Sequence, residues 1–199
     1  MIAVTIDGTS QAGQAMAALG ARLSSPAGLL KVLEREGRNR LVAHFRKRNT
    51  VPNRLGGRRT NYWSAVADSV ASSMSGTAAK ISVTHPTFAQ KVYGGPIVPR
   101  RAKHLTIPVN PAAHGVSARV LEREMGIKLF LLKPGGSLGM LAAQMTPGSK
   151  NITVFYVLRD SVVQAPDPEA LPPRSDFVAA ILARANAYVS RAANNPTAP

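Results

Sequence analysis

Cysteine is absent from the chain, which removes disulfide frameworks, thiol nucleophiles and cysteine-ligated zinc at a stroke. Acidic residues are scarce: 10 Asp and Glu stand against 25 Lys and Arg, for a net charge of +15 over 199 residues. That leaves few carboxylates for acid–base chemistry and directs attention to anionic partners such as nucleic acid, an acidic protein surface or an anionic membrane. Aromatic residues make up only 5%, and alanine carries much of the 45% apolar content, so burial should be modest rather than deep. No apolar run approaches the ~18 residues that span a bilayer. The N-terminus "MIAVTIDGTSQAG" has no basic stretch followed by an apolar one, as a secretory signal would. A soluble protein with no membrane partner is expected.

What is present organises into alternating helix and strand signals. "MIAVTID" reads as a first strand and "SQAGQAMAALGARLSS" as a weak, Ala-rich helix. From Pro26 to about Lys47, Leu30, Leu33, Leu41 and Phe45 share a stripe with Gly37, predicting a stronger helix. Trp63, Val66, Val70 and Met74 recur at spacings of three and four, predicting a second helix through "NYWSAVADSVASSM" with Trp63 as a core anchor. "AAKISVTHP", "KHLTIPV", "IKLFLLKPGG" and "KNITVFYVLRD" read as strands, with "GSLGMLAAQMTPGS" as a long hairpin connection. "TFAQKVYGG" is long enough for one helical turn, and "NPAAHGVSARVLEREMG" fits either a helix or an ordered loop. "QAPDPEALPPR" holds four prolines and reads as a tether. A final amphipathic helix, "SDFVAAILARANAYVSRA", is expected to start at a Ser175 cap and to carry Phe177, Ile181, Ala185 and Tyr188 on one side. The order predicts an α+β fold: an antiparallel sheet of about four strands with helices on one face, long loops and a tethered C-terminal helix.

Catalytic signatures fail one by one. "NRLGGRRTNYW" puts glycines before a helix, but there is no GxxxxGK[ST] and no preceding strand, so it is not a phosphate loop. His44, His85, His104 and His114 form no metal-ligand spacing, and Glu122 and Glu124, interleaved with Arg123, read as surface. There is no GxSxG elbow. No catalytic, cofactor-binding or metal-binding residue is assigned, and an enzyme is not expected.

Basic character is concentrated. Ten cations lie between Lys31 and Arg59 against Glu34 and Glu36, and five more between Lys80 and Lys103 without any acid. Such residues neutralise phosphates without reading bases. No helix-turn-helix, RNP aromatic pattern or GXXG clamp accompanies them. One reading open on these residues is a non-sequence-specific nucleic-acid-binding protein.

Residues 41 to 109 carry a further pattern. Arg54, Leu55, Gly56, Gly57, Thr60 and Trp63 are followed by His85, Pro86, Phe88, Ala89, Gly94, Gly95, Ile97, Pro99, Lys103, Leu105, Ile107 and Pro108. This stretch resembles the virion-morphogenesis and tail-completion proteins of tailed bacteriophages. The resemblance covers about a third of the chain and does not extend to the hairpin at 127–158 or to the Pro-rich segment. It implies a structural virion protein without an active site, forming a homo-oligomeric ring, expected to be six-fold, at the head–tail junction or the head-proximal end of the tail. Its location would be the virion neck or tail after assembly in the host cytoplasm. Its partners would be further copies of itself and neighbouring neck, connector or tail-tube proteins, with passing contact to genomic double-stranded DNA. On this reading residues 1–163 are the ring-subunit domain, 164–174 the Pro-rich tether, and 175–199 the C-terminal helix and tail. Arg54, Gly56, Gly57, Arg58, Gly94 and Gly95 become candidate subunit-interface residues. Arg46, Lys47, Arg48, Arg100, Arg101 and Lys103 become candidates to face DNA or the ring lumen.

Overall fold

A computed structural model describes residues 20, 27–53, 55–75, 78–135, 138–146, 148 and 150–194. The expected strand at "MIAVTID", the Ala-rich helix after it, and Arg54 lie outside the described residues. The fold is α+β, as the alternation of helical and strand patterns requires, and the chain gathers into two compact units. The first comprises the described parts of Met1–Phe45, Val66–His85 and Leu171–Pro199; the second comprises those of Arg46–Ala65 and Pro86–Ala170.

In the first unit, α1 (Ala27–Arg48) follows the predicted stripe, with Gly37 and Phe45 buried; its last turn, Arg46 to Arg48, belongs to the second unit. α2 (Tyr62–Asp68) is shorter than its periodicity implied. The Ser69 hydroxyl and amide both donate to the Val66 carbonyl, at 2.7 and 3.1 Å, closing the last turn. The chain then becomes β1 (Val70–Ser75), which pairs antiparallel with β2 (Ala78–Val83) from Val70↔Val83 to Ser75↔Ala78. Val70 and Met74 therefore belong to a strand rather than a helical stripe: cross-strand pairing overrode a weak spacing signal in a serine-rich segment.

The C-terminal helix, α5, spans Arg174–Asn194. It begins one residue before the expected cap, with the Phe177 amide donating to the Pro173 carbonyl, so Ser175 lies in the first turn and donates to Asp176 Oδ1. Phe177 and Ile181 approach Gly37, where a Cβ would meet Ile81 Cδ1 at 2.5 Å and Phe177 Cζ at 3.3 Å. The helix packs on α1 because a glycine there leaves room.

The second unit is built on a four-stranded antiparallel sheet in the order β4-β7-β6-β5, comprising β4 (Leu105–Pro108), β5 (Phe130–Leu132), β6 (Met140–Gln144) and β7 (Ile152–Arg159). A bulge at Leu141/Ala142 shifts the β6–β7 register. A 3-10 turn (Pro111–Ala113) and α4 (Ala118–Met125) supply Ala113 and Leu121 to a core with Ala143, Phe155 and Tyr156. The segment left open between helix and loop is thus helical, capped by Ser117 and ended by Gly126 in the left-handed conformation. Glu122, read as surface, accepts the Leu129 amide at 2.8 Å and so fixes the entry into the sheet. α3 (Phe88–Tyr93) leads into β3 (Gly95–Ile97), which pairs with β8 (Val162–Gln164) in a separate two-stranded sheet.

The expected antiparallel sheet of about four strands is the β4-β7-β6-β5 sheet, and among the described residues there are two further two-stranded sheets, β1-β2 and β3-β8. β6 was hidden inside an expected connection because Ala and Met carry little strand signal; its pairing with β7 creates it.

Candidate functional site

Arg48, the last residue of α1, is the hub of a polar cluster in the second unit. Its guanidinium lies 4.4 Å from the centroid of the Trp63 ring. Nη2 donates to Asp167 Oδ2 at 2.8 Å, while Nη1 donates to Asp167 Oδ1 and to Glu169 Oε2, both at 3.2 Å. Planarity lets one arginine stack on an aromatic face and fork a carboxylate at the same time. The Arg48 side chain is 20% exposed and that of Asp167 23%, so water screens this pair less than a surface one. Arg48 therefore does not fit the expected DNA-facing role: its charge is spent within the chain.

The acids come from the Pro-rich segment, whose first half is pinned rather than free. Asp167 N–H donates to the Lys91 carbonyl at 2.8 Å, Glu169 N–H to Asp167 Oδ1 at 3.0 Å, and Ala170 N–H to the Asp167 carbonyl at 3.0 Å. Ala170 is buried. Gly94 makes this possible: at φ 67° and ψ −155° it occupies backbone space open to glycine, and a Cβ there would meet Gln164 O at 2.5 Å and Pro166 N at 2.7 Å.

The basic loop is folded by its asparagines. Asn53 Nδ2 donates to the Gly57 carbonyl at 2.7 Å and Asn53 Oδ1 accepts the Gly57 amide at 3.2 Å. A side chain on Gly57 would collide with the Pro111 carbonyl and His114 Cβ. The close approaches that Gly57 and Gly94 allow are thus made to their own chain. Gly56 and Gly95 have positive φ, and Gly95 receives the Gln90 amide on its carbonyl at 2.9 Å. His114 Nδ1 sits 2.8 Å from the Arg58 carbonyl and so carries the proton there. Asn61, at φ 52°, is the non-glycine residue with positive φ among those described, and Asn49 spans to it and to the Ser64 amide.

These residues surround a cleft of about 550 Å³ with Tyr62 and Trp63 on one wall and Arg59, Lys91 and His114 among its polar groups. Burial raises the Tyr62 phenol above its ordinary pKa, a hydrogen bond with the Thr87 side chain opposes the shift, and the charge of Asp167 adds to it. Trp63, expected as a core anchor, is half-buried and lines the cleft.

Other expected site residues are dispersed. Arg46, Lys47, Arg100, Arg101 and Lys103 are exposed. Arg58 reaches Glu124 only at 4.0 Å, with both side chains largely in water. His104 pairs with Asp160 at 2.7 Å. Among the described residues no group of three His, Asp or Glu could hold a metal ion, and no helix is long and apolar enough to cross a membrane.

A second feature lies on the two-stranded sheet. Pro96 and Val163 are direct partners across it, and Val98 follows the last residue of β3. All three are exposed, Val163 at 77%, and Tyr93 at the end of α3 is 79% exposed. Sequence patterning missed this face because strands of three residues give no usable alternation. It also missed Asp167 and Glu169; two acids in so basic a chain were the available signal, but nothing in the sequence named a partner 119 residues away.

Fold and surface together define an α+β protein with an apolar sheet face and a mixed-charge cleft. No protein-family model, curated protein or solved structure matches the chain.

Proposed function

We propose that the chain is a structural subunit of a tailed-phage particle, assembling as a homo-oligomeric ring at the head–tail junction or the head-proximal end of the tail and carrying out no catalysis. The observation that carries this reading is the exposed face of β3 and β8. Single surface hydrophobics are ordinary. Pro96 and Val163 lie opposite each other with exposed Val98 next to them in the chain, and among the described residues the sheet has two strands, each with an edge that no further strand pairs and that suits a neighbouring chain. The β3 half of the face, with Pro96 and Val98, falls within the "VYGGPIVPRR" stretch, inside the part of the chain that resembles the phage proteins. Arg46, Lys47, Arg100, Arg101 and Lys103, exposed around the second unit, would meet acidic neighbours or passing DNA.

Negative-stain imaging of the purified protein tests the reading. Closed rings of one size are expected. Monomers at every concentration, together with salt-dependent binding to duplex DNA of any sequence, would replace it with the nucleic-acid-binding alternative.

A further inference from the structure

We propose that the cleft beside Trp63 binds a short peptide segment bearing an aspartate or glutamate, contributed by a protein partner. Charge accounting comes first. Arg48 is neutralised by its close pair with Asp167, and Glu169, at 3.2 Å and 82% exposed, leaves one net negative charge on that wall. The cations left on the lining are Arg59 and Lys91. Arg59 uses Nη2 on the Thr50 carbonyl at 3.2 Å and retains its other N–H donors, while the Lys91 ammonium stands 5.7 Å from the Tyr62 ring centroid. A carboxylate is the complementary group.

The remaining chemistry favours a peptide over a polyphosphate. Because His114 Nδ1 faces the Arg58 carbonyl, Nε2 is the ring nitrogen left to meet a ligand, and it can pair with a peptide group. Trp63, Val51 and Pro52 give the lining an apolar part able to hold the residue beside the carboxylate. Glu169, whose side chain is 82% exposed, opposes any anion in the cleft and opposes a chain of phosphates more than a single carboxylate held by Arg59 and Lys91. The volume suits a few residues. The walls are also preorganised: Asn53 braces Gly57, and Asn61 is held in the left-handed region, a conformation that persists only where its surroundings impose it.

This inference stands apart from ring formation, because binding is read on the purified protein whatever its oligomeric state. Trp63 is the only tryptophan and reports on the cleft directly. The full chain is titrated with an equimolar pool of capped pentapeptides having a central Glu between apolar residues, and with the same pool carrying Gln. The Glu pool should change Trp63 emission saturably, and the Gln pool should bind about tenfold more weakly. Arg59→Gln and Lys91→Gln, checked for unchanged circular dichroism, should each weaken the Glu pool by about three- to tenfold. A 12-mer duplex DNA should not displace it. Absence of a saturable change, equal binding of the two pools, indifference to both substitutions, or displacement by DNA would each overturn the proposal.

Discussion

The two units of the chain are held together by different means. In the first, the buried positions are the side chains of Phe45, Val66, Ala67, Val70 and Ala192, and the ion pair recorded among its described residues is a local one, Glu36 with Arg40 on α1. Its close approach, at Gly37, is to the tip of the Ile81 side chain. In the second, backbone meets backbone at Gly57 and Gly94, and Arg48, Trp63 and Asp167 join segments more than a hundred residues apart. Apolar packing tolerates small adjustments because side-chain tips move; a polar pin or a backbone contact has one geometry and loses most of its value outside it. Sensitivity to substitution should therefore be concentrated in the second unit.

Gly94→Ala should show the largest effect. It adds left-handed strain to a collision with the backbone at Gln164 and Pro166, and urea unfolding should report a loss of about 3 kcal/mol or more. Arg48→Ala follows, at about 2 kcal/mol, through loss of the charged hydrogen bonds and the stacking on Trp63. Arg48→Lys keeps the charge without the fork and should recover less than half of that.

Tyr156→Phe removes a hydrogen bond donated to the Val116 carbonyl at 3.0 Å and should cost about 1 kcal/mol. It also alters the pH profile. Burial raises the Tyr156 pKa above the ordinary 10.0, so the folded state holds the phenol proton more tightly than the unfolded state. That stabilisation is complete below pH 10 and is lost as pH rises through the folded value. The alkaline decline should be shallower in Tyr156→Phe than in the wild type, when stability is followed from neutral to alkaline pH.

Effects in the first unit should be smaller. Gly37→Ala sets a contact with Ile81 Cδ1 against a gain in helix propensity of about 1 kcal/mol, and the net change should stay within about that amount. Arg40→Ala breaks only an i,i+4 pair and should cost about 0.3–0.5 kcal/mol. A Gly37→Ala loss as large as that of Gly94→Ala would erase the contrast between the units.

Legibility in the sequence divides along similar lines. α1 and the face of α5 that meets Gly37 were readable because long helices repeat their apolar pattern many times. β2, β4 and β7 announced themselves through alternating or β-branched residues. β1 carries a helical spacing in the sequence because spacings of three and four over so few residues fit either state until a partner strand decides. β3 and β8 are too short to carry any pattern, yet they form the exposed apolar face. At the cleft, Trp63 and the basic loop drew attention by composition, but their roles depend on Asp167 and on glycine contacts made across the chain. Composition shows that a charge exists; only the fold shows whether it is already spent.

Sedimentation velocity of wild-type protein and Val163→Glu tests most directly whether the β3–β8 face is where copies meet. Val163 is exposed in the isolated chain, so the substitution should leave the subunit folded. The account predicts that the wild type sediments as one large species and that Val163→Glu, with a charge at the centre of the face, sediments as a monomer. Identical sedimentation of the two would contradict it.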